Sequence, residues 1–135
     1  MDNDVELTNE ATRAKLDQMS RALLRLHKVL LDDERAIYEA EHGAVNSTHT
    51  MFQIVLSHPN FLWLGKFSSL IVLLDEAASV RRPAPEATSQ GLLAEARSLL
   101  NLEAGEKTFV EQFQKAINGN VQVKANYEEA LKSSE

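Results

Sequence analysis

Apolar residues recur at three- and four-residue steps along the first third of the chain, a spacing that places them on one face of an α-helix. The pattern predicts a helix over residues 8–42, with Thr8 as its N-cap and Gly43 as its C-terminal stop. The stripe follows a seven-residue repeat that is interrupted once, at Asp33, where an apolar residue is expected. Its apolar members are Leu16, Met19, Leu23, Leu26, Leu30, Ile37 and Ala40.

The predicted length of this helix is unusual for a small domain. At the standard rise per residue it would be about 50 Å long, whereas a compact domain of this size is about 30–40 Å across. The helix therefore either kinks near residues 31–33 or projects from the domain and pairs with a partner.

Shorter helical patterns follow along the rest of the chain. Ser47 is the expected N-cap of a short helix, and the break at His58 and Pro59 leaves Asn60 to cap the next one. That next helix has so wide an apolar arc that we expect it at the centre of a bundle. Thr108 has capping-box spacing and should open a further helix. The predicted spans are residues 48–57, 61–80, 86–100, 108–117 and 121–132.

No segment shows the sustained alternation that is typical of a β-strand. We therefore predict an all-α fold, an antiparallel helical bundle of four main helices plus short accessory helices. Residues 1–135 should form a single domain with frayed ends at residues 1–7 and 132–135. A loop at residues 81–87 contains two prolines, which forbid a continuous helix.

Composition and charge exclude several classes of protein. The 135 residues are 44% hydrophobic and 25% charged, as in ordinary globular domains. A net charge of -6 argues against nucleic acid as a partner, and the lack of cysteine excludes disulfides and thiol chemistry. The apolar run at residues 61–74 is too short to span a membrane. Without a secretory signal pattern at the N-terminus, we expect a cytoplasmic protein.

One part of the chain resembles a group of small bacterial helical proteins. The run HPNFLWLGKFSSLIVLLDE, residues 58–76, is similar to theirs in its Pro turn, its aromatic-Trp-Leu step, its Ser-Leu-Ile and its closing Asp-Glu. The upstream run LLDDERAIYE, residues 30–39, is similar too. The resemblance covers roughly residues 26–80 and implies a bacterial source and a helical bundle. It implies no particular activity, because none is assigned to that group.

A metal site is one chemical interpretation of the histidines. Glu39 and His42 form a single Glu-x-x-His motif, and without a second copy a di-iron centre is not expected. A mononuclear site built from His42, His49, His58 and Glu39 stays open, since imidazole suits zinc or nickel. The structural alternative places His42 at a helix C-terminus, where a cation is favoured, His49 in a first helical turn and His58 in a turn.

The aromatic residues offer a second candidate site. Trp63, Phe61 and Phe67 could line an apolar pocket or an interface near the turn at His58, although aromatic residues at helical spacing commonly form core. No nucleophile–base–orienting set or Gly-rich phosphate loop is present. The paired acids around Asp32 and at Glu128 are interpreted as solvated charge.

Two functional hypotheses follow from the sequence. The first is a non-enzymatic interaction or scaffold protein that acts as a homo-oligomer, with a dimer favoured. Its basis is an apolar stripe longer than the core, because exposed apolar patches usually mark association sites. The alternative is a helical bundle that binds a small ligand or a single metal ion. We expect no resident cofactor, no nucleic-acid partner and no membrane insertion.

Overall fold

The computed structural model describes residues 5–103 and 105–135, and in this part of the chain every regular element is a helix. The all-α prediction is confirmed. Six helices have ten or more residues and a seventh is a single turn, where four main helices were predicted. They are α1 (Glu10–His42), α2 (Thr48–Ser57), α3 (Pro59–Leu62), α4 (Gly65–Ala77), α5 (Glu86–Leu100), α6 (Lys107–Gly119) and α7 (Val121–Ser133).

Helix α1 is the element around which the others assemble. It is continuous for 33 residues, without a break at residues 31–33, and it packs against α3, α4, α5 and α7. The central helix is therefore α1, whereas the sequence had indicated the helix now seen as α4. Its core face is completely or almost completely buried at Leu16, Met19, Leu23, Leu26 and Leu30.

The core face of α1 ends well before the helix does. The last buried residue is Glu34, and the two final members of the predicted stripe lie outside the core, with Ile37 37% exposed and Ala40 exposed. Asp33, the interruption in the stripe, accepts a hydrogen bond of 2.9 Å from the Asn120 side chain at the start of α7. The polar residue in the repeat thus marks the level at which apolar packing along α1 gives way to polar contacts.

Different residue types determine the two ends of α1. Asn9, and not the predicted Thr8, is the N-cap, because its side chain accepts a hydrogen bond from the backbone N–H of Thr12 at 2.8 Å. Gly43 ends the helix as predicted, with a φ of 90° that disfavours residues bearing a Cβ. Ser47 caps α2 as predicted, accepting from the N–H of Thr50.

The predicted helix over residues 61–80 is divided in the structure. His58, rather than Asn60, caps the single turn α3 through its ring nitrogen. A tight turn at Trp63 and Leu64 then leads into α4, which ends at Ala77. Trp63 and Leu64 keep right-handed helical backbone angles, so the chain direction changes little between α3 and α4.

The last three helices agree with the sequence in position and differ at their caps. Helix α5 has the predicted bounds. Helix α6 begins at Lys107 without a side-chain cap, so Thr108 does not form the predicted capping box. Asn120 ends α6 and its side chain caps α7, accepting from the N–H groups of Gln122 and Val123.

The loop after α4 holds the start of the chain. Residues 1–4 of the segment 1–7 expected to fray lie outside the described residues, and within the rest of it the carbonyl of Glu6 accepts from the N–H of Glu86 at 2.8 Å. The N–H of Thr8 donates to the carbonyl of Ala84 at 2.8 Å. The Thr8 hydroxyl also donates to Ala84 and lies 2.6 Å from that of Ser89, which is completely buried in α5. At the other end, α7 continues to Ser133, inside the segment 132–135 expected to fray.

The buried hydroxyl pair gives a testable contribution to stability. We expect Ser89→Ala to lower the free energy of unfolding by about 1 kcal/mol, because the Thr8 hydroxyl loses one of its two partners. Chemical denaturation measures this change. The matched control is Ser69→Ala, an exposed position on α4 with the same gain in helix propensity. Equal stabilities of the two variants would show that the pair does not support the fold.

Candidate functional site

Two of the predicted metal ligands meet beside a tyrosine. The ring of Tyr38 on α1 lies 4.4 Å from that of His42, one helical turn away, and 4.9 Å from that of His58 before α3. The two imidazole rings are 5.8 Å apart, measured between centroids. The proximity has a local cause, because His58 packs against the side of α1 that lies beyond the core.

The other two predicted ligands are placed elsewhere. The Glu39 carboxylate accepts from the N–H of Val45 at 2.7 Å and pairs with Arg35 at 3.2 Å, so it fastens the loop after α1. These hydrogen bonds lower the pKa of Glu39, the bond from Val45 being the largest cause. His49 is exposed in the first turn of α2. Within residues 5–103 and 105–135, no group of three or more potential ligands could hold a metal ion.

The three predicted aromatic residues are core residues and do not line an open pocket. Phe67 is completely buried, and Trp63 and Phe61 are 8% and 2% exposed. Trp63 and Phe67 form an aromatic cluster with Phe109 and Phe113 of α6. The ring centroids of Trp63 and Phe67 lie 5.2–6.2 Å from each other and from those of the two α6 residues. Phe61 belongs to the separate group around Tyr38, at 6.2 Å. This packing joins the turn after α3 to α6.

A cleft opens where the end of α1 passes α6. It has a volume of about 310 Å³, and its two walls are one face of each helix, with α3 contributing a residue between them. Helix α6 directs its aromatic residues into the core, so its polar face at Gln112 and Lys115 remains towards α1. The lining residues are Asp33, Glu34, Ile37, Glu41, Asn60, Gln112, Lys115, Ala116 and Gly119.

Glu34 is the most unusual group in this cleft. Its side chain lines the cleft although the residue is only 7% exposed. Burial raises the pKa of the Glu34 carboxyl, and the charges of Asp33 and Glu41 add to the increase, while the Trp63 indole N–H and Lys115 oppose it. The indole nitrogen of Trp63 is itself buried, and its N–H lies beside this carboxylate. Burial nevertheless outweighs the opposing contributions of Trp63 and Lys115, so the ionised form of Glu34 is disfavoured.

The sequence had placed Glu34 among solvated charges, and that interpretation is wrong for this residue. A signal was available in the spacing, because Glu34 follows Leu30 by four residues and so shares its face of the helix. The apolar stripe is interrupted at the adjacent residue, Asp33, and this polar residue obscured the position of Glu34 on the buried face. The partners on α6 carry no corresponding sequence signal, since only tertiary packing brings residues 112–119 beside α1.

No protein-family model matches the chain, and no curated protein or solved structure shows significant similarity to it.

Among the helices of the described residues, none combines the length and apolar character needed to cross a membrane.

The buried carboxyl predicts a pH-dependent effect of substitution. Because the folded-state pKa of Glu34 is raised, the folded protein binds more protons than the unfolded chain, and stability falls as pH rises from the ordinary Glu pKa through the raised value. We expect Glu34→Gln to raise the melting temperature by about 2 °C or more at neutral pH. Near pH 4, just below the ordinary Glu pKa, the gain should be much smaller, because the carboxyl of Glu34 is then mostly protonated in the unfolded chain as well.

Thermal melts of both proteins at the two pH values measure this difference. Exposed Glu128 on α7 supplies the control substitution, Glu128→Gln. A stabilisation by Glu34→Gln that is equal at both pH values would contradict a desolvated, ionised carboxylate at neutral pH.

Proposed function

We propose that this protein is a non-enzymatic interaction protein that forms a homodimer through α2. The observation that carries the proposal is the exposure of an apolar helix. Of the residues in α2, only Met51 is buried, while Phe52 and Leu56 are 61% and 62% exposed. These two side chains are four residues apart and therefore project from the same face of the helix. An exposed apolar face of this kind favours association.

The charge distribution favours a second copy of the chain as the partner. The protein carries a net charge of -6, so two copies repel each other over most of their surfaces. Residues 43–65 contain no Asp, Glu, Lys or Arg. This segment includes α2 and α3, and Leu62 of α3 adds a further side chain that is 56% exposed. Two copies can bring these uncharged surfaces together without placing like charges in contact.

The position of α2 also suits an interface. It packs mainly against α3 and contributes little to the central core, so its outer face is not needed to stabilise the bundle. Its ends are nevertheless fixed, by Ser47 at the N-terminus and by the N–H of His58, which donates to Ile54 at 2.7 Å. A preformed helix loses little conformational freedom on association.

The size of the apolar surface sets the expected strength of the dimer. Phe52 and Leu56 of the two copies form only a small apolar contact, and the cost of association is subtracted from what their burial contributes. This favours a weak, reversible dimer over a permanent one. The twofold arrangement that we propose is also the commonest closed assembly.

A charge placed on the outer face of α2 should dissociate the dimer. We expect the wild-type protein at about 100 μM to have close to twice the 15.1 kDa chain mass by light scattering after size exclusion. Phe52→Glu and Leu56→Glu should each weaken self-association at least tenfold, because each would bury an unpaired carboxylate beside an apolar surface.

The matched control is Val121→Glu, which places the same charge at an apolar residue of α7 that is 85% exposed. It should dimerise like the wild type. A wild-type protein that stays monomeric at this concentration would refute the proposal. Equal weakening by Val121→Glu would show that net charge, and not the face of α2, controls association.

A further inference from the structure

We propose that His49 makes the dimer sensitive to pH, so that mild acid separates the two copies. This inference rests on the homodimer through α2 proposed above and concerns its regulation. His49 is exposed in the first turn of α2. It precedes Phe52 by three residues and Leu56 by seven, so the three side chains lie on one face of the helix. A dimer formed through Phe52 and Leu56 therefore includes His49 in its contact surface.

The outer face of α2 carries no other titratable group. Met51, the buried residue of α2, lies on the opposite side of the helix from His49. Gln53 completes the outer face and is neutral. Since residues 43–65 contain no Asp, Glu, Lys or Arg, a charge can arise in this segment on histidine alone. The second histidine of the segment, His58, faces α1, where its ring lies 4.9 Å from that of Tyr38.

The elements beside α2 bring little charge to this surface. Arg35 of α1 lines a groove that it shares with Phe52 and the start of α2. Its guanidinium pairs with the Glu39 carboxylate at 3.2 Å, so the two charges offset each other. Helix α3, the main neighbour of α2, contains no titratable residue. The charge of this surface below neutral pH therefore depends on His49.

His49 has no carboxylate to stabilise its protonated form. None of the salt bridges within residues 5–103 and 105–135 includes it. His42 differs, since its Nε2 atom lies 3.8 Å from the Glu41 carboxylate at the end of α1. In the dimer, the uncharged outer face of the second copy offers no carboxylate either. A protonated His49 would be enclosed between two apolar surfaces without a partner.

Protonation of His49 therefore opposes association. A neutral imidazole can be buried at an interface, whereas an unpaired charge loses its hydration there at a large cost in free energy. The dimer consequently binds fewer protons than two separate copies. By linkage, the dimer weakens as the pH falls through the range in which histidine titrates. Each copy contributes one such group, so the effect on the dissociation constant enters twice.

The overall charge of the protein predicts the opposite trend. The net charge is -6 at pH 7 and the isoelectric point is about 5.2. The general repulsion between two copies therefore declines as the pH falls below neutral, and a dimer controlled by net charge alone becomes tighter. The direction of the pH dependence thus separates a specific effect of His49 from a general effect of charge.

The experiment is a measurement of the dimer dissociation constant by sedimentation at about pH 8 and about pH 6, at one ionic strength. We expect the wild-type constant to rise about tenfold at the lower pH, because most exposed imidazoles are then protonated. His49→Gln has a polar side chain that does not titrate, and its dimer should be at least as tight at the lower pH as at the higher. The control, His42→Gln, should weaken in acid like the wild type.

The possible results distinguish this inference from the proposed function. A wild-type dimer that is equally tight or tighter at about pH 6 would overturn the role of His49 while leaving the dimer in place. Acid weakening that persists in His49→Gln, or that is lost in His42→Gln, would also overturn it, because the responsible group would then lie elsewhere. A protein that is monomeric at about pH 8 would refute the dimer itself, and the inference with it.

Discussion

Helix α1 is longer than the hydrophobic core that it organises, and the arrangement of the other helices depends on this mismatch. Its leucine face is buried from Leu16 to Leu30 against α4, α5 and α7. Beyond Glu34 no residue of α1 is buried, yet the helix continues for two more turns to Gly43. The hydrophobic core does not extend to these last turns of α1. Polar contacts and the short helices α2 and α3 surround them instead.

The two sides of this projecting end acquire different properties. On one side, α3 and the loop after α1 pack against it through Tyr38, His58 and Phe61, and they carry the uncharged helix α2 outside the core. On the other side, α6 is held away from α1 because its aromatic residues pack against Trp63 and Phe67. The resulting gap is the acidic cleft. The cleft and the exposed position of α2 therefore have a common structural origin.

Local sequence signals predicted the helices and the core more successfully than the candidate site. Leucine spacing identified the buried face of α1, and Gly43 marked its end, because these features depend on periodicity and backbone conformation. The division of the helix at Trp63 and Leu64 is not marked in the apolar periodicity. Glu34 was missed because its burial requires neighbours that are remote in the sequence. The metal hypothesis relied on loop convergence, and the structure brings together His42 and His58 without the other two ligands.

Hydrogen–deuterium exchange at two protein concentrations, one below and one above the association range, is the most direct test of the role assigned to the projecting part of the fold. The account predicts that the amides of α2 (Thr48–Ser57) exchange more slowly at the higher concentration, because a second copy covers this helix. Exchange in α5 (Glu86–Leu100), which belongs to the central bundle, should be the same at both concentrations. Exchange in α2 that does not depend on concentration would contradict the account, as would protection that appears on α5 instead.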